Sequence, residues 1–236
     1  MSLTYATWSA TISNLTVIDA TDANLVQILP SAIDYGEQRL YRELDILNTV
    51  TRDTGLLTVG TRTFNLPTNI GRFVVTNGFN VITPSTTTSP DAGTRNPMVP
   101  TSRDALDVIW PSTLNAGLPN QYAMITDQQI IVGPAPDAAY TVEVIGTIRP
   151  TPLSQTNTTT YLTLYLPDLF VAATMIFMSG YMRNYGAQSD DPRMAISWET
   201  EYDKLLPSAN VEEQRKRYSS GAWGSLQPVS IATPAR

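Results

Sequence analysis

Residues 162–182, LTLYLPDLFVAATMIFMSGYM, constrain this chain more than any other stretch. Pro167 and Asp168 interrupt the run and leave Leu169 to Met182, about 14 residues, where a bilayer span needs about 20. The segment therefore reads as a buried helix, Asp168 to Arg183, apolar nearly all round. A helix with no polar face needs other helices around it, and Ala172, Ala173, Ser179 and Gly180 allow those neighbours to approach closely.

The covering helices have to come from other parts of the chain. Residues 4–20 alternate polar and apolar only weakly. Thr21 or Asp22 then offers an N-cap for a helix that kinks or restarts at Pro30 and runs to about Asn48. Within it, Ile33, Leu40, Leu44 and Leu47 recur at helical spacing and form one narrow stripe. The opposite side is crowded with Asp34, Glu37, Arg39, Arg42, Glu43 and Asp45, and Arg39 with Glu43 forms an i,i+4 pair. The plain reading of such a face is solvated surface, and the sharper one is contact with another subunit. After the 169–182 segment a further helix is expected from about Arg193 to Tyr218. There Ile196, Tyr202, Leu205 and Leu206 face the core, and Pro207 kinks or breaks the helix.

Between these helical stretches the texture changes. From Thr49 to about residue 150 the chain is rich in β-branched residues, glycine and proline. RFVVT-NG-FNVIT, residues 72–83, predicts a hairpin turning at Asn77-Gly78. Residues 84–100, PSTTTSPDAGTRNPMVP, predict an exposed, mobile loop. Short strands are expected at Tyr122 to Thr126, Gln129 to Val132 and Tyr140 to Arg149, with a short capped helix near Ser102 to Trp110. The fold class is thus α+β: a helical bundle from the N-terminal helix and two C-terminal helices, a small antiparallel β domain inserted between them, and an extended C-terminal tail. The expected divisions are 1–48, 49–150, 151–218 and 219–236. The tail, SSGAWGSLQPVSIATPAR, lacks periodicity yet carries Trp223, Leu226, Val229 and Ile231, large apolar groups that suit a binding segment.

Chemistry is bounded by what is missing. The 236 residues contain no cysteine and no histidine, which removes thiolate catalysis, disulfides, the usual zinc sites and the commonest general base. A net charge of −6 disfavours a basic nucleic-acid clamp and is compatible with a surface past which DNA slides. MSLTYATWSA lacks the basic start and apolar run of a secretion signal. Gly55 and Gly60 have phosphate-loop spacing without the following Lys-Ser/Thr, so they read as turn glycines. Asp190 and Asp191 before Pro192 read as a helix N-cap, and Glu199 and Glu201 as helix surface, although a carboxylate pair is also what glycoside hydrolysis or a divalent ion would use. EEQRKR, residues 212–217, ends a helix with positive charge where its dipole favours it, or else meets an acidic partner.

Three stretches carry a resemblance to a known family: the helix YGEQRLYREL (35–44), the turn and strand VGPAPDAAYTVEV (132–144), and RPTPLSQTNTTTYLTLYLPDLFVAATM (149–175). Together they resemble the head-to-tail adaptor, or head completion, proteins of short-tailed bacteriophages. There a similar E-x-R-L-x-R-E-L helix opens the chain, a P-x-P-D turn precedes a strand, and an L-S-x-x-N…P-D-L segment leads into the buried helix. The similarity spans most of residues 4–218. Gly36 departs from the expected small residue such as alanine, which fits close helix packing, and the 84–100 loop is longer than the family needs.

The resemblance implies a non-enzymatic virion protein at the head–tail junction, made in the host cytoplasm and using no cofactor or metal. It implies a twelvefold ring under the portal protein, contacts with a tail nozzle or tail tube protein, no membrane, and double-stranded DNA passing without sequence-specific binding. On that reading Glu37, Arg39, Arg42 and Glu43 are the subunit-contact candidates. Trp223, Leu226, Val229 and Ile231 are the portal-binding anchors of the tail. The rival reading from the Thr/Asn-rich middle is a carbohydrate-binding or fibre-type β module of a phage surface, against which the long apolar helices argue.

Overall fold

In a computed structural model of the chain, residues 2–182 and 193–217 are described, and they form a mixed α+β fold. Its helices are α1 (Tyr5–Thr16), α2 (Ala23–Glu43), α3 (Arg103–Ile109), α4 (Tyr161–Tyr165), α5 (Pro167–Met182) and α6 (Arg193–Arg217). The strands are β1 (Val50–Leu56), β2 (Thr63–Asn65), β3 (Phe73–Thr83), β4 (Thr94–Pro97), β5 (Val99–Pro100), β6 (Ala116–Gly117), β7 (Gln121–Thr126), β8 (Gln129–Gly133), β9 (Ala135–Pro136) and β10 (Thr141–Ile148). The chain divides into two units, Met1–Leu47 with Thr151–Arg236, and Asn48–Pro150.

The helical unit is organised around α5. Leu169, Phe170, Ala172, Ala173, Thr174, Met175 and Met178 are all buried along it, and α1, α2, α4 and α6 each pack on it. α2 contributes Leu25, Leu29, Ala32, Ile33, Gly36 and Leu40 to that core. Asp22 caps α2 through its carboxylate, which accepts from the Asn24 and Leu25 N–H groups at 2.9 and 3.0 Å. Helix α2 runs through Pro30 without a restart and ends at Glu43, earlier than expected, because the backbone turns extended at Leu44. Leu44 still buries, whereas Leu47 stands 41% exposed and leaves the stripe.

Helix α1 was not expected from the weak alternation of residues 4–20. Thr4 and Thr7 form a reciprocal capping box, and Thr11 and Thr16 turn their hydroxyls onto the Thr7 and Ile12 carbonyls. The helix is anchored by Trp8 and Ile12, one turn apart and fully buried, with Trp8 5.9 Å from the Phe170 ring. α6 continues through Pro207; its Tyr202 is fully buried and Leu205 and Leu206 pack against the core, but Ile196 is exposed. The Asp190/Asp191 cap, Arg183, and the tail residues Trp223, Leu226, Val229 and Ile231 lie outside the described residues.

The β unit holds one antiparallel sheet ordered β1-β10-β3-β4 and a second ordered β2-β8-β7-β5. Antiparallel pairing dominates, but β5 runs parallel to β7, and β6 and β9 form a small parallel pair. Phe64, Phe73, Phe79, Val81, Ile130, Val132, Val142 and Val144 make its core. Strands β7, β8 and β10 and the Ser102-capped α3 lie where the sequence put them.

The hairpin at Asn77-Gly78 is overturned, since β3 runs unbroken across it. A type I′ turn needs positive φ at both residues, and neither has it. Pairing with β10 along its length keeps β3 extended: Gly78 stands opposite Ile145 and Thr76 opposite Gly146, so Asn77 is the extra residue of a bulge. At Gly146 a methyl group would meet the Val75 carbonyl oxygen at 2.4 Å, which ties this glycine to the bulge. Residues 84–100 likewise are not one loop, because β4 and β5 fall within them. Gly60, with φ +72°, is a turn glycine as expected, but Gly55 lies inside β1 beneath the Phe64 ring.

Gly36 marks close packing of α2 on α5, for a methyl group there would sit 2.7 Å from Thr174 Cγ2. Alanine gains about 1 kcal/mol of helix propensity, and overpacking costs about 1–3 kcal/mol. Gly36→Ala is therefore expected to lower stability by about 1 kcal/mol in urea denaturation. Thr174→Ser, which removes the opposing methyl, should cost less in that background than in the native chain; additive effects of the two changes would contradict the contact.

Candidate functional site

Helix α2 turns one side into the core and carries on the other the charges singled out in the sequence. The structure divides those charges into three groups. Glu37 belongs to the inside. It is 5% exposed, and its carboxylate accepts the Leu153 N–H at 2.9 Å, pinning the chain as it re-enters the helical unit. Burial, opposed by that hydrogen bond and assisted by the Asp34 charge, pushes Glu37 up to about 7.

Arg39 and Glu43 are committed to α6. Arg39 forms a fork with Glu199 at 3.0 and 2.6 Å, reaches Glu43 at 3.1 Å, and lies 4.2 Å above the Tyr202 ring. Tyr202 donates its hydroxyl to the second Glu43 oxygen at 2.6 Å. Burial first, then the Glu43 carboxylate, pushes the Tyr202 hydroxyl well above its ordinary range, and the Arg39 hydrogen bonds hold Glu199 low. Glu199 was expected to be helix surface; it is instead the main partner of Arg39, a pairing across 160 residues that local spacing cannot reveal.

The third group points outward. Gln38 donates to both Asp34 oxygens at 2.8 Å, and Arg42 donates to Gln38 at 3.0 Å. The ladder Asp34–Gln38–Arg42 thus runs along one side of α2, with both charged ends exposed and neither in an ion pair within the described residues. Asp34 was not among the sequence candidates; its spacing from Arg42, two steps of four residues, was the available signal. With Pro30, Ser31, Tyr35, Arg39, Glu43 and Phe177 the ladder lines an open groove of about 820 Å³.

Two further buried carboxylates hold elements together. Glu213, 2% exposed, accepts from the Tyr161 hydroxyl at 2.7 Å, Lys216 at 2.7 Å and the Leu47 N–H at 3.1 Å. Burial raises its pKa, but these donors outweigh it and hold the group low. The 212–217 charges therefore grip α4 and the end of the α2 segment, and Arg217 pairs with Asp45. In the β unit Glu143, 1% exposed on β10, takes bonds from Asn80, Arg95 and Arg52 at 2.9, 2.9 and 3.2 Å, and Asp91 bridges the two arginines.

None of these clusters assembles a nucleophile with a base, and among the described residues no group of three or more acidic side chains is placed to hold a metal. No described helix is long and apolar enough to cross a membrane. What the arrangement offers is an exposed, oppositely charged side of α2 above an open groove. A family model described as SU10 adaptor protein matches residues 3–227, and the chain belongs to that family. It is accordingly a bacteriophage adaptor, a structural protein of the virion that works against other head and tail proteins. No curated protein matches the sequence.

Two measurements test the inward-facing charges. The folded pKa of Glu37, about 7 against an ordinary 4.5, means that its contribution to stability is complete below about pH 4.5 and is lost as pH rises through about 7. Relative to Glu37→Gln, which keeps an acceptor for Leu153, the native chain should lose about 1–3 kcal/mol across that window in denaturation at stepped pH. A constant difference between the two proteins would refute the burial argument. For the α2–α6 fork, Arg39→Lys keeps the charge but loses the planar two-bond geometry and is expected to cost about 1–2 kcal/mol. A double-mutant cycle with Glu199→Gln should assign most of that loss to the pair.

Proposed function

We propose that this adaptor is the head-to-tail adaptor of a short-tailed bacteriophage. On this reading about twelve copies close into a ring beneath the portal protein, extend its DNA channel and present a platform to a tail nozzle or tail tube protein. The observation that carries it is the Asp34–Gln38–Arg42 ladder: one negative and one positive end, exposed along a single helix side, with no opposite charge paired to either among the described residues. A ring with head-to-tail contacts must fix the register between two different faces, and a pair of opposed charges about 12 Å apart on a rigid helix suits that task.

Arg42 and Asp34 are the central contacts in this scheme, with Arg39 and Glu43 beside them in the groove. Glu37 sits beneath, holding α2 to the re-entering segment. Trp223, Leu226, Val229 and Ile231 are the apolar anchors by which the tail grips the portal, and weak contacts made by every copy of a ring combine into a firm joint. The β unit is suited to DNA passage, because five of its six arginines, Arg52, Arg62, Arg72, Arg95 and Arg103, each have a carboxylate within 4.0 Å. Cations already neutralised in this way bind duplex phosphates weakly, so DNA moves without sequence-specific capture.

The test is to mix the purified chain with a portal ring and follow co-migration by sedimentation and ring formation by electron microscopy. The native chain should decorate the portal with a ring. Asp34→Asn with Arg42→Gln should weaken assembly about tenfold or more while shifting subunit stability by no more than about 0.5 kcal/mol. A chain cut back after Tyr218 should lose portal binding. Failure of the native chain to associate would sink the proposal.

A further inference from the structure

A second groove, of about 640 Å³, opens on the helical unit between α1, α5 and α6. Leu3, Val171, Trp198 and Leu205 give it apolar walls, and Asp168 and Glu201 are its acidic groups. We propose that in the free subunit this groove holds the chain's own tail, with Trp223 as the seated side chain.

Three observations favour that occupant. Helix α6, which forms one wall through Trp198 and Leu205, leads directly into residues 218–236. Reach extends to the Leu205 end of the groove: Leu205 to Arg217 is about 18 Å of helix, and the six residues from Arg217 to Trp223 span up to about 20 Å when extended. The side chains do not oppose it, for residues 218–236 contain no Asp or Glu and include Arg236, while Asp168 and Glu201 are the acidic groups of the groove. An indole seated among Leu, Val and Trp side chains is removed from water at small entropic cost, since tethering replaces association from solution.

The consequence is that the apolar anchors assigned to portal contact are shielded until a portal surface competes for them. This deepens the tail reading given above and rests on it for its purpose, but the docking itself is measured without portal, so either idea can fail alone. The chain has no cysteine, so an introduced one is unique. Val171→Cys in the groove should react with a maleimide about tenfold more slowly in the full chain than in one ending at Arg217, the difference expected for a site covered about nine-tenths of the time. Leu15→Cys, on α1 and not part of the groove lining, should react equally in both.

The double variant Val171→Cys/Ala222→Cys keeps Trp223. Under mild oxidation it should close a disulfide within one chain, at a yield independent of protein concentration. Equal labelling rates at position 171, or no disulfide, would overturn the proposal. A concentration-dependent disulfide between chains would overturn the assignment to the same copy and place the tail in a neighbour's groove.

Discussion

Helix α5 has to be covered on every side. It exposes no polar stripe to water, and burial of Phe170, Met175 and Met178 stabilises the unit by roughly 1.5–3 kcal/mol for each side chain. One neighbour cannot enclose a helix, so segments from both ends of the chain converge on it: α1 and α2 before the β unit, and α4 and α6 after it. The β unit then has no place in the helical core and forms its own, around Phe64, Phe73, Phe79 and Val144. The division of the chain follows from the apolarity of one helix.

With the core fixed, buried carboxylates decide how the pieces are tied. Glu37 fastens the re-entering chain to α2, Glu213 fastens the end of α6 to α4 and to Leu47, and Glu143 fastens three strands of one sheet. Each carboxylate meets two or more charged or N–H donors, or, in the case of Glu37, one N–H and a raised pKa, because a buried charge without partners is costly. The helix that carries Glu37 also carries Arg39 and Glu43, tied to α6, and Asp34 and Arg42, turned outward. The charges that tie α2 to the rest of the unit and those left facing outward thus sit on the same segment, separated by the helical angle between them.

Much of this was legible. The length and all-round apolarity of the α5 segment marked it as buried, Ser102 announced α3, and the β-branched runs at 121–126, 129–133 and 141–148 are strands. These depend on local chemistry, which sequence displays directly. Helix α1 was hidden because its Thr and Ser residues lower the contrast of the pattern, although their hydroxyls bond back to the helix that contains them. Asn77-Gly78 has the chemistry of a turn and is a bulge, because pairing with β10 over the length of β3 outweighs a local preference of about 1 kcal/mol.

The sequence by itself determined which segments bury and which function classes are excluded, since a missing cysteine or histidine and an apolar helix need no context. Only the tertiary structure decided which charges of α2 are free. Glu37 meets a backbone N–H 116 residues away and Arg39 a carboxylate 160 residues away, while Asp34 and Arg42 meet no opposite charge among the described residues. The availability of a charge is set by what the fold brings within about 4 Å of it, and that distance bears no relation to separation along the chain.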